Sequence, residues 1–392
     1  MQPIWKHENW PNLTWNADSI QNVLYRYAAE VNTMTGRLDG VDQRDKRDSL
    51  IDLMVTEAIR TSQIEGEHYD RDDVRSSIRN QLGLARAPEP VRDRRANGIS
   101  ALMISVRETY QTPLTQRRLF EWHDLVMTDP NMRKRVPVGD WRDSDMQVQS
   151  GPIGREGVHF IAPPPEAVPG AMDAFIDWFN ATAPGGQAEQ LPAPIRAAVL
   201  HLHFETIHPF ADGNGRIGRA LSEIALSQEL GSPVLLSLSS VIQKRRREYY
   251  DELKRASHGD LDITRWVEWF VNIVLQAQLE SREMILFVLA RARFWKQHGK
   301  SLNERQDRTV KRMLREGVGG FTGGMNAKKY MAITECSKAT ATRDLSALVE
   351  LGVFRQLPGG GRSTSYELIL PEADAPMHPS HPLKSDPAIT RI

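Results

Sequence analysis

Apolar residues recur at helical spacing along most of the chain. The segment from about Ala17 has its apolar positions on one face, and Asn16 is placed to cap it. A second apolar stripe runs from about Ser49 to Glu65, where Gly66 is suited to end the helix. The same pattern, interrupted at prolines, predicts further helices within 69–130 and over 167–181, 194–207, 214–230, 241–257 and 262–298.

Two stretches depart from this helical pattern. Residues 146–161 alternate, turn through a segment rich in Gly and Pro, and alternate again, which predicts a β-hairpin. After Ser301, helices over 304–315 and 338–351 precede strands at 354–357 and 363–370, separated by three glycines, and this order resembles a winged helix-turn-helix. The proline-rich end, 371–392, is predicted to be disordered.

The composition excludes several classes of protein. Lys and Arg total 50, as do Asp and Glu, so any anion site must be local. The single cysteine, Cys336, excludes an internal disulfide framework and suits a reducing compartment. Neither a signal-peptide pattern nor an apolar run long enough to span a membrane is present. We therefore expect a cytoplasmic protein without a membrane partner.

The candidate chemistry lies in the loop His208-Pro-Phe-Ala-Asp-Gly-Asn-Gly-Arg-Ile-Gly-Arg219, between two predicted helices. Its glycines allow a tight turn, and the following helix directs unpaired N–H groups and its positive dipole end toward the loop. Asn214 adds an amide donor, and Arg216 and Arg219 add guanidinium groups one helical turn apart. These features predict a site for phosphate groups.

Asp212 and His208 define the chemistry further. A carboxylate inside an anion site repels phosphate unless a hard cation bridges the two, which indicates Mg²⁺. An imidazole with an ordinary pKa near 6.5 is suited to remove a proton from a hydroxyl group. The residues therefore predict a divalent-metal polyphosphate site with a histidine base, and leave open which phosphate is attacked.

The loop resembles the Fic family pattern HPF-x-[DE]-GNGR-x-x-R at every fixed position. The resemblance implies a protein adenylyltransferase, in which His208 deprotonates a Ser, Thr or Tyr hydroxyl of a target protein. It implies that Asp212 coordinates Mg²⁺ at the α- and β-phosphates of ATP, the co-substrate. It further implies that the nucleotide is bound by Phe210, Gly213, Asn214, Gly215, Arg216 and Arg219.

Thr61, Glu65 and Gly66 resemble an inhibitory motif of Fic proteins, [S/T]-x-x-x-E-[G/N]. The resemblance implies that Glu65 pairs with Arg219 and competes with the γ-phosphate for its guanidinium group. Some family members use the same glutamate to remove AMP from targets, so a dual activity stays open.

The resemblance also assigns the hairpin and a downstream helix. The hairpin falls where Fic proteins carry a flap that binds the target segment as an added strand, with the contacting residues Met146, Gln147, Val148, Gln149, Val158, His159 and Phe160. Tyr249 and Tyr250 fall where the family forms its adenine pocket, although paired tyrosines on a helix are more often core residues. Ser257 stands where several relatives have Asn, which leaves the nucleotide preference open.

Other polar groups are predicted to be structural. His201 and His203 point to different sides of a helix and cannot share a metal ion. His201 and Glu205, one turn apart, are expected to hydrogen-bond to each other. The basic run 244–247 is expected to be a solvated helix face.

The chain is therefore predicted to be mainly α, with a Fic-type helical core, a hairpin flap and a small C-terminal winged helix. The predicted divisions are 1–110 with the inhibitory helix, 111–300 as catalytic core, 301–370 as winged helix, and 371–392 as tail. The alternatives are a nucleotide-sensing regulator that binds DNA through the segment from Ser337 to Arg362, and a Fic enzyme that transfers another phosphate-containing group. A homodimer is also implied.

Overall fold

The structure of the protein is a computed structural model that describes residues 2–39, 43–85, 87–150, 157–188, 190–358 and 364–371. The side chains of residues 35–46, 148–159 and 319 lie outside that description. Helices make up 63% of the residues, which confirms the mainly α prediction. The chain divides into two compact units, Met1–Glu283 and Met284–Ile392. The finer divisions at residues 110, 300 and 370 stay predictions.

The first unit is helical with one small sheet. Its helices are α1 (Gln21–Asp39), α2 (Gln43–Ile64), α3 (Arg71–Gln81), α4 (Ala96–Glu108), α5 (Gln116–Val126), α6 (Val168–Ala181), α7 (Ala193–Ile207), α8 (Asn214–Leu230), α9 (Leu238–Lys244) and α10 (Arg246–Ala256). The boundary between the units falls within the long helix α11 (Thr264–His298). Strands β1 (Gln147–Ser150) and β2 (Gly157–Ile161) form an antiparallel pair, with Gln147 opposite Ile161 and an irregularity between Val148 and Gln149.

Helix α7 lies at the centre of the first unit, and all of its residues are buried. It packs along α8, which is itself buried from Arg216 to Ser227. A helix surrounded by protein needs apolar or paired side chains on every face, which explains the buried Arg196, His201 and Glu205 of α7. This packing fixes the loop that joins α7 to α8.

The second unit has its own apolar core, which includes Phe294, Val310, Leu345 and Phe354. Its elements are α12 (Glu304–Leu314), α13 (Ala327–Thr334), α14 (Lys338–Glu350), β3 (Phe354–Gln356) and β4 (Tyr366–Leu368). The two strands pair antiparallel, and Met325 forms an isolated bridge to Tyr366. The predicted winged helix stays a prediction; its glycine turn at 359–361, its Arg362 and the tail 372–392 lie outside the described residues.

Two helix predictions were wrong, and one helix was missed. Helix α2 begins at Gln43 rather than near Ser49. The helix expected over 241–257 is two helices, because Arg245 leaves the helical conformation. No Gly or Pro in the sequence indicates this break. Helix α13 was missed because it is only eight residues long, although Asn326 caps it by accepting a hydrogen bond from the Lys329 N–H. Within the part of the chain that the structure describes, no helix has the length and apolar character to cross a membrane.

Candidate active site

The loop between α7 and α8 turns through two left-handed residues. His208 has φ 50° and ends α7, where its N–H donates to the Phe204 carbonyl. Gly213 has φ 84° and precedes α8, and a Cβ there would lie 2.9 Å from Val126 Cγ2. Glycine is therefore required at 213 both by the backbone conformation and by the close approach of α5. The N–H groups of the first turn of α8 are directed out of its N-terminal end.

The Asn214 side chain stabilises this loop by hydrogen bonds to its backbone. Its Oδ1 accepts from the Phe210 N–H at 3.0 Å, and its Nδ2 donates to the Phe210 carbonyl at 2.7 Å. The side chain was expected to be a donor to the anion, but it is buried and bonded to the loop backbone. Its backbone N–H remains among those at the helix start, so its contribution to an anion site is through the main chain.

Phe210 anchors the loop in the core. Its buried ring stacks on His123 with centroids 4.1 Å apart and contacts Trp141 at 5.2 Å. The His123 Nδ1 accepts from the Gly139 N–H, and burial lowers the pKa of this histidine to about 4. Sequence reasoning missed His123, because a lone histidine on an amphipathic helix gives no signal of its partner.

Arg142 holds the His208 end of the loop. Its Nε donates to the His208 carbonyl at 2.8 Å and its N–H donates to the Pro209 carbonyl. It also donates to the Pro163 carbonyl beyond the hairpin, so one buried side chain ties the flap to the loop. The sequence places Arg142 beside the flap but does not reveal this contact.

His208, the predicted base, is partly exposed, with 17% of its side chain accessible. Its Nδ1 lies 3.3 Å from the Glu205 carbonyl oxygen, and since that oxygen only accepts, Nδ1 carries the proton and Nε2 is the free acceptor. Burial lowers the pKa of His208 to about 4, opposed by this hydrogen bond. The ring is therefore neutral at pH 7, with a lower pKa than the expected 6.5.

Arg219 is tied to the end of α2. Its Nε donates to Thr61 Oγ1 at 2.8 Å, and its Nη2 donates to Glu65 Oε1 at 2.7 Å. Burial opposes the charge of Arg219, but Glu65 holds the pKa of this guanidinium above its ordinary value. Its Nη1 is buried without a hydrogen-bond partner among the described residues.

Arg216 has a second acidic neighbour that sequence reasoning missed. Its Nη1 donates to Glu67 Oε2 at 2.9 Å and to the Val126 carbonyl, while its buried Nε has no hydrogen-bond partner among the atoms described. The signal was present as a second glutamate in the sequence Glu65-Gly66-Glu67. Two acidic residues of one turn therefore contact the two arginines of α8.

The end of α2 positions these acids. Gly66 has φ 86°, and its N–H donates to the Gln63 carbonyl, so the chain leaves the helix through a glycine turn. Glu65 lies against the start of α8, where a Cβ at Gly215 would overlap its Oε1. Its side chain keeps 27% exposure. The Glu65 carboxylate therefore occupies the space in front of the first turn of α8 while remaining open to solvent.

Asp212 is the exposed carboxylate of the loop, with 44% of its side chain accessible. Its Oδ1 accepts from the Gly213 N–H at 2.6 Å and lies 3.7 Å from Arg216 Nη2. No group of three or more His, Cys, Asp or Glu side chains converges in the described ranges. The Asp212 carboxylate is the side chain of this loop that could hold a cation such as Mg²⁺, which commonly takes one or two carboxylates together with phosphate and water oxygens.

The predicted flap is described mainly through its backbone. β1 and β2 pair as expected, and the Ala162 N–H donates to the Met146 carbonyl at 3.1 Å. Phe160 is buried and meets the His258 ring edge-on. Trp5 donates to the Ile161 carbonyl. The side chains of Val148, Gln149, Val158 and His159 lie outside the described part, so their role stays a prediction.

The two tyrosines differ in environment. Tyr249 is buried, and its hydroxyl lies 2.8 Å from His201 Nε2, so the structure places it in the core. Tyr250 is exposed, and its hydroxyl lies 3.4 Å from the Ile64 carbonyl at the end of α2. Its place beside Glu65 keeps it a candidate for the nucleotide pocket. Ser257 is buried, and its Oγ donates to the Lys254 carbonyl.

The expected hydrogen bond between His201 and Glu205 is absent. His201 Nε2 bonds Tyr249, and its Nδ1 lies 3.3 Å from Ser222 Oγ. His203 is in edge-on contact with Trp10 and Phe175. Residues of the basic run 244–247 are paired with acidic side chains or an aromatic ring; Lys244, for example, donates to Glu280. None of these groups belongs to the loop site.

Two segments of the chain match known domain families. Residues 113–226 match the Fic/DOC family, and residues 4–84 match a domain of unknown function, DUF4172. A probable protein adenylyltransferase of Aquifex aeolicus is 26% identical over 205 residues, which are 46% of this chain and 57% of that protein. The protein adenylyltransferase Fic of Nematostella vectensis is 35% identical over 123 residues, or 31% of this chain and 26% of that protein.

Solved structures show the same fold. A Fic family protein from Desulfovibrio desulfuricans superposes with a TM-score of 0.51 at 20% identity, covering 89% of this chain and 97% of that one. A Fic domain-containing signaling protein from Bacteroides thetaiotaomicron gives 0.50 at 17% identity, covering 68% and 96%. The chain spans little more than half of the Aquifex relative and a quarter of the Nematostella one.

Proposed function

We propose that this chain, which carries a Fic/DOC domain in residues 113–226, is a protein adenylyltransferase that transfers AMP from ATP to a hydroxyl group of a target protein. One observation carries the proposal: a neutral histidine with a free Nε2 stands beside a helix N-terminus whose two arginines keep buried, unpartnered nitrogens. A buried donor without a partner is costly, so an anion that accepts from these nitrogens would stabilise this end of α8.

In the proposed reaction, His208 Nε2 takes the proton of the target hydroxyl as its oxygen bonds to the α-phosphorus. The bond from that phosphorus to the oxygen bridging to the β-phosphate breaks, and pyrophosphate leaves with the electron pair. The backbone N–H groups at the start of α8 and the guanidinium groups of Arg216 and Arg219 stabilise the charge on the phosphate oxygens. Residues of this chain thus position the groups and neutralise charge.

Asp212 would hold Mg²⁺ at this site. Its exposed carboxylate beside the anion loop fits a cation that takes one protein ligand and several phosphate and water oxygens. When bound, the ion would neutralise phosphate charge. The single carboxylate also explains why metal binding would depend on the nucleotide.

Glu65 would inhibit the transfer of AMP. Its carboxylate bonds the guanidinium that the γ-phosphate needs, and its partial exposure lets a ligand displace it. ATP that enters while Glu65 remains would have its α-phosphate out of line with His208. Removal of AMP by the same glutamate stays a prediction.

The hairpin would bind the target segment by strand addition. β1 and β2 form a sheet of only two strands, which leaves main-chain groups at an edge for a third. Arg142 supports this placement, because it contacts both the His208 carbonyl and the Pro163 carbonyl after β2. A target hydroxyl held on the flap would thereby be kept at a fixed distance from the base.

The test is intact-mass analysis of the Glu65→Gly protein incubated with Mg·ATP, alone and with a protein extract. A mass gain of one AMP on itself or on an extract protein is expected, and none with the Glu65→Gly, His208→Ala double variant. A gain of phosphate mass would indicate kinase-like chemistry instead. No gain on any protein would overturn the proposal.

A second candidate function, nucleic-acid binding, concerns the C-terminal unit. The first turns of α14 expose Lys338, Thr342 and Arg343 behind the N-cap Ser337. A helix entering the major groove through such a turn is the usual winged-helix mode. A salt-dependent mobility shift on DNA that is unchanged by His208→Ala would support it.

The homodimer also stays a prediction, which sedimentation of the full chain would test.

A further inference from the structure

Glu205 is a buried carboxylic acid on α7, one turn before His208. Its Oε2 lies 3.8 Å from Nδ1 of His208, and its Oε1 is buried without a hydrogen-bond partner among the described atoms. The neighbouring His201, which the sequence suggested as its partner, uses its nitrogens for Tyr249 and Ser222. His201 is therefore not a partner of the Glu205 carboxyl group, which faces the His208 imidazole and the charge of Arg219.

The surrounding helices hold this carboxyl group in place. A Cβ at Gly218 of α8 would lie 2.8 Å from Glu205 Oε1, so the carboxyl group packs against the bare backbone of that glycine. The close approach of α7 and α8 at Gly218 leaves room for the acid and little room for it to turn. Its distance from His208 is thus set by the packing of two buried helices.

This arrangement does not favour stability. A buried carboxyl group with an unpartnered oxygen costs folding free energy, whereas an apolar side chain of the same size costs none of it. Burial raises the pKa of Glu205 to about 8, opposed by Arg219 and supported by Glu65. The burial of a group that costs folding free energy and lies beside a reacting ring is explained by a role in the reaction.

We infer that Glu205 is a positioning residue for His208: its backbone carbonyl accepts from Nδ1 and leaves Nε2 as the proton acceptor, and its side chain, as a carboxylate 3.8 Å from Nδ1, stabilises the imidazolium formed during transfer. The inference rests on the proposed function. The substrate proton moves to Nε2, the Nδ1 proton stays between the ring and Glu205, and His208 afterwards releases the substrate proton to water. The backbone carbonyl of Glu205 orients the ring, and the carboxylate supplies the charge.

Because the proposed role needs Glu205 to be ionised, it predicts how the reaction rate depends on pH. The charged and titratable groups that face Glu205 are His201 on α7, His208 just after α7, Arg219 on α8, Glu65 just after α2, and Tyr249 on α10. His208 is also faced by Arg142 and Asp212. His208 alone titrates far below neutral pH, so a rate governed only by that ring would be flat from pH 6 to 9. A rate that needs ionised Glu205 rises as the pH approaches 8.

The experiment uses the full-length Glu65→Gly protein as parent and adds Glu205→Gln, with AMP transfer followed from pH 6 to 9. We expect kcat to fall roughly tenfold or more at pH 8.5 in the Gln variant, with the KM for ATP unchanged and the pH dependence lost. The thermal midpoint of the Gln variant should not fall. Glu205→Met, of similar size and without charge, should give the same result.

Glu223→Gln in the same parent is the matched control. Glu223 is another buried carboxyl group with a raised pKa, but it pairs with Arg107 at 2.7 Å, so its loss should lower the thermal midpoint and leave the pH dependence of kcat as in the parent. Equal kcat values and equal pH profiles for parent and Glu205→Gln would overturn the inference alone. A parent that transfers no AMP would overturn the proposed function and this inference with it.

Discussion

Helix α8 makes arginine–glutamate pairs at two places, and they differ in exposure. In its first two turns, Arg219 and Arg216 bond Glu65 and Glu67, which keep 27% and 33% of their side chains accessible. In its middle, Glu223 pairs with Arg107 of α4, and both side chains are only 4% exposed. A partly exposed partner can be replaced by a ligand from solvent, whereas a fully buried partner cannot. The first two turns are therefore suited to regulation and the middle to structure.

The largest effect is expected at the buried pair. Glu223→Ala should destabilise the fold by about 3–5 kcal/mol, because Arg107 would keep its charge in the core without its carboxylate partner. Chemical denaturation of the full chain measures this loss. The contrast between the two places would fail if Mg·ATP restored the lost stability, since no ligand is expected to reach Arg107.

Glu65→Gly should have a smaller effect on stability and a larger one on function. Water can reach Arg219 once Glu65 is gone, so we expect a loss of about 1–2 kcal/mol, and tighter ATP binding by about 10- to 100-fold. Calorimetric titration with ATP and Mg²⁺ measures the affinity. Equal affinity in the parent and the variant would mean that Glu65 does not compete with the nucleotide.

Glu67→Gln should act in the same direction but more weakly. Arg216 keeps its bond to the Val126 carbonyl, and glutamine can still accept from Nη1, so only the charge is lost. We expect ATP to bind roughly two- to fivefold more tightly, about 0.5–1 kcal/mol. An effect as large as that of Glu65→Gly would show that the two acids are equal competitors.

The last prediction concerns how the stability of the fold depends on pH at Glu205. Because its pKa is raised in the folded state, its contribution is fully present below the unfolded value near 4.5 and is lost as the pH rises through about 8. Glutamine stays neutral, so Glu205→Gln should gain in thermal midpoint relative to wild type between pH 5 and pH 9. A constant difference across this range would mean that Glu205 does not titrate as a buried acid.

The glycine-rich loop from His208 to Arg219 was predictable because its residues are contiguous in the sequence. Helix α8 begins at Asn214 and ends at Leu230 as the pattern of apolar residues and glycines indicates. The contacts between distant residues were less predictable: Arg142 supports the loop from 66 residues away, and His123 stacks on Phe210 from α5. No local signal links such pairs, because their partners are brought together only when the helices pack.

Burial also changed the chemistry of residues that the sequence identified. Asn214 has the amide donors that an anion site uses, yet the loop conformation commits both ends of its amide to Phe210. His208 has the imidazole that a base needs, yet its surroundings lower its pKa to about 4. Residue type determines which reactions a side chain can perform, and solvent access determines its charge and its partners.

The sequence by itself determined most of the helices, the β-hairpin and the glycine-rich loop from His208 to Arg219, because periodicity, glycines and proline act on neighbouring residues. Only the tertiary structure decided that Glu65 and Glu67 meet the arginines of α8, that Tyr249 is a core residue, and that Glu205 stands behind His208. These outcomes depend on how α2, α7, α8 and α10 pack, and a side chain's desolvation is a property of everything around it rather than of its place in the chain.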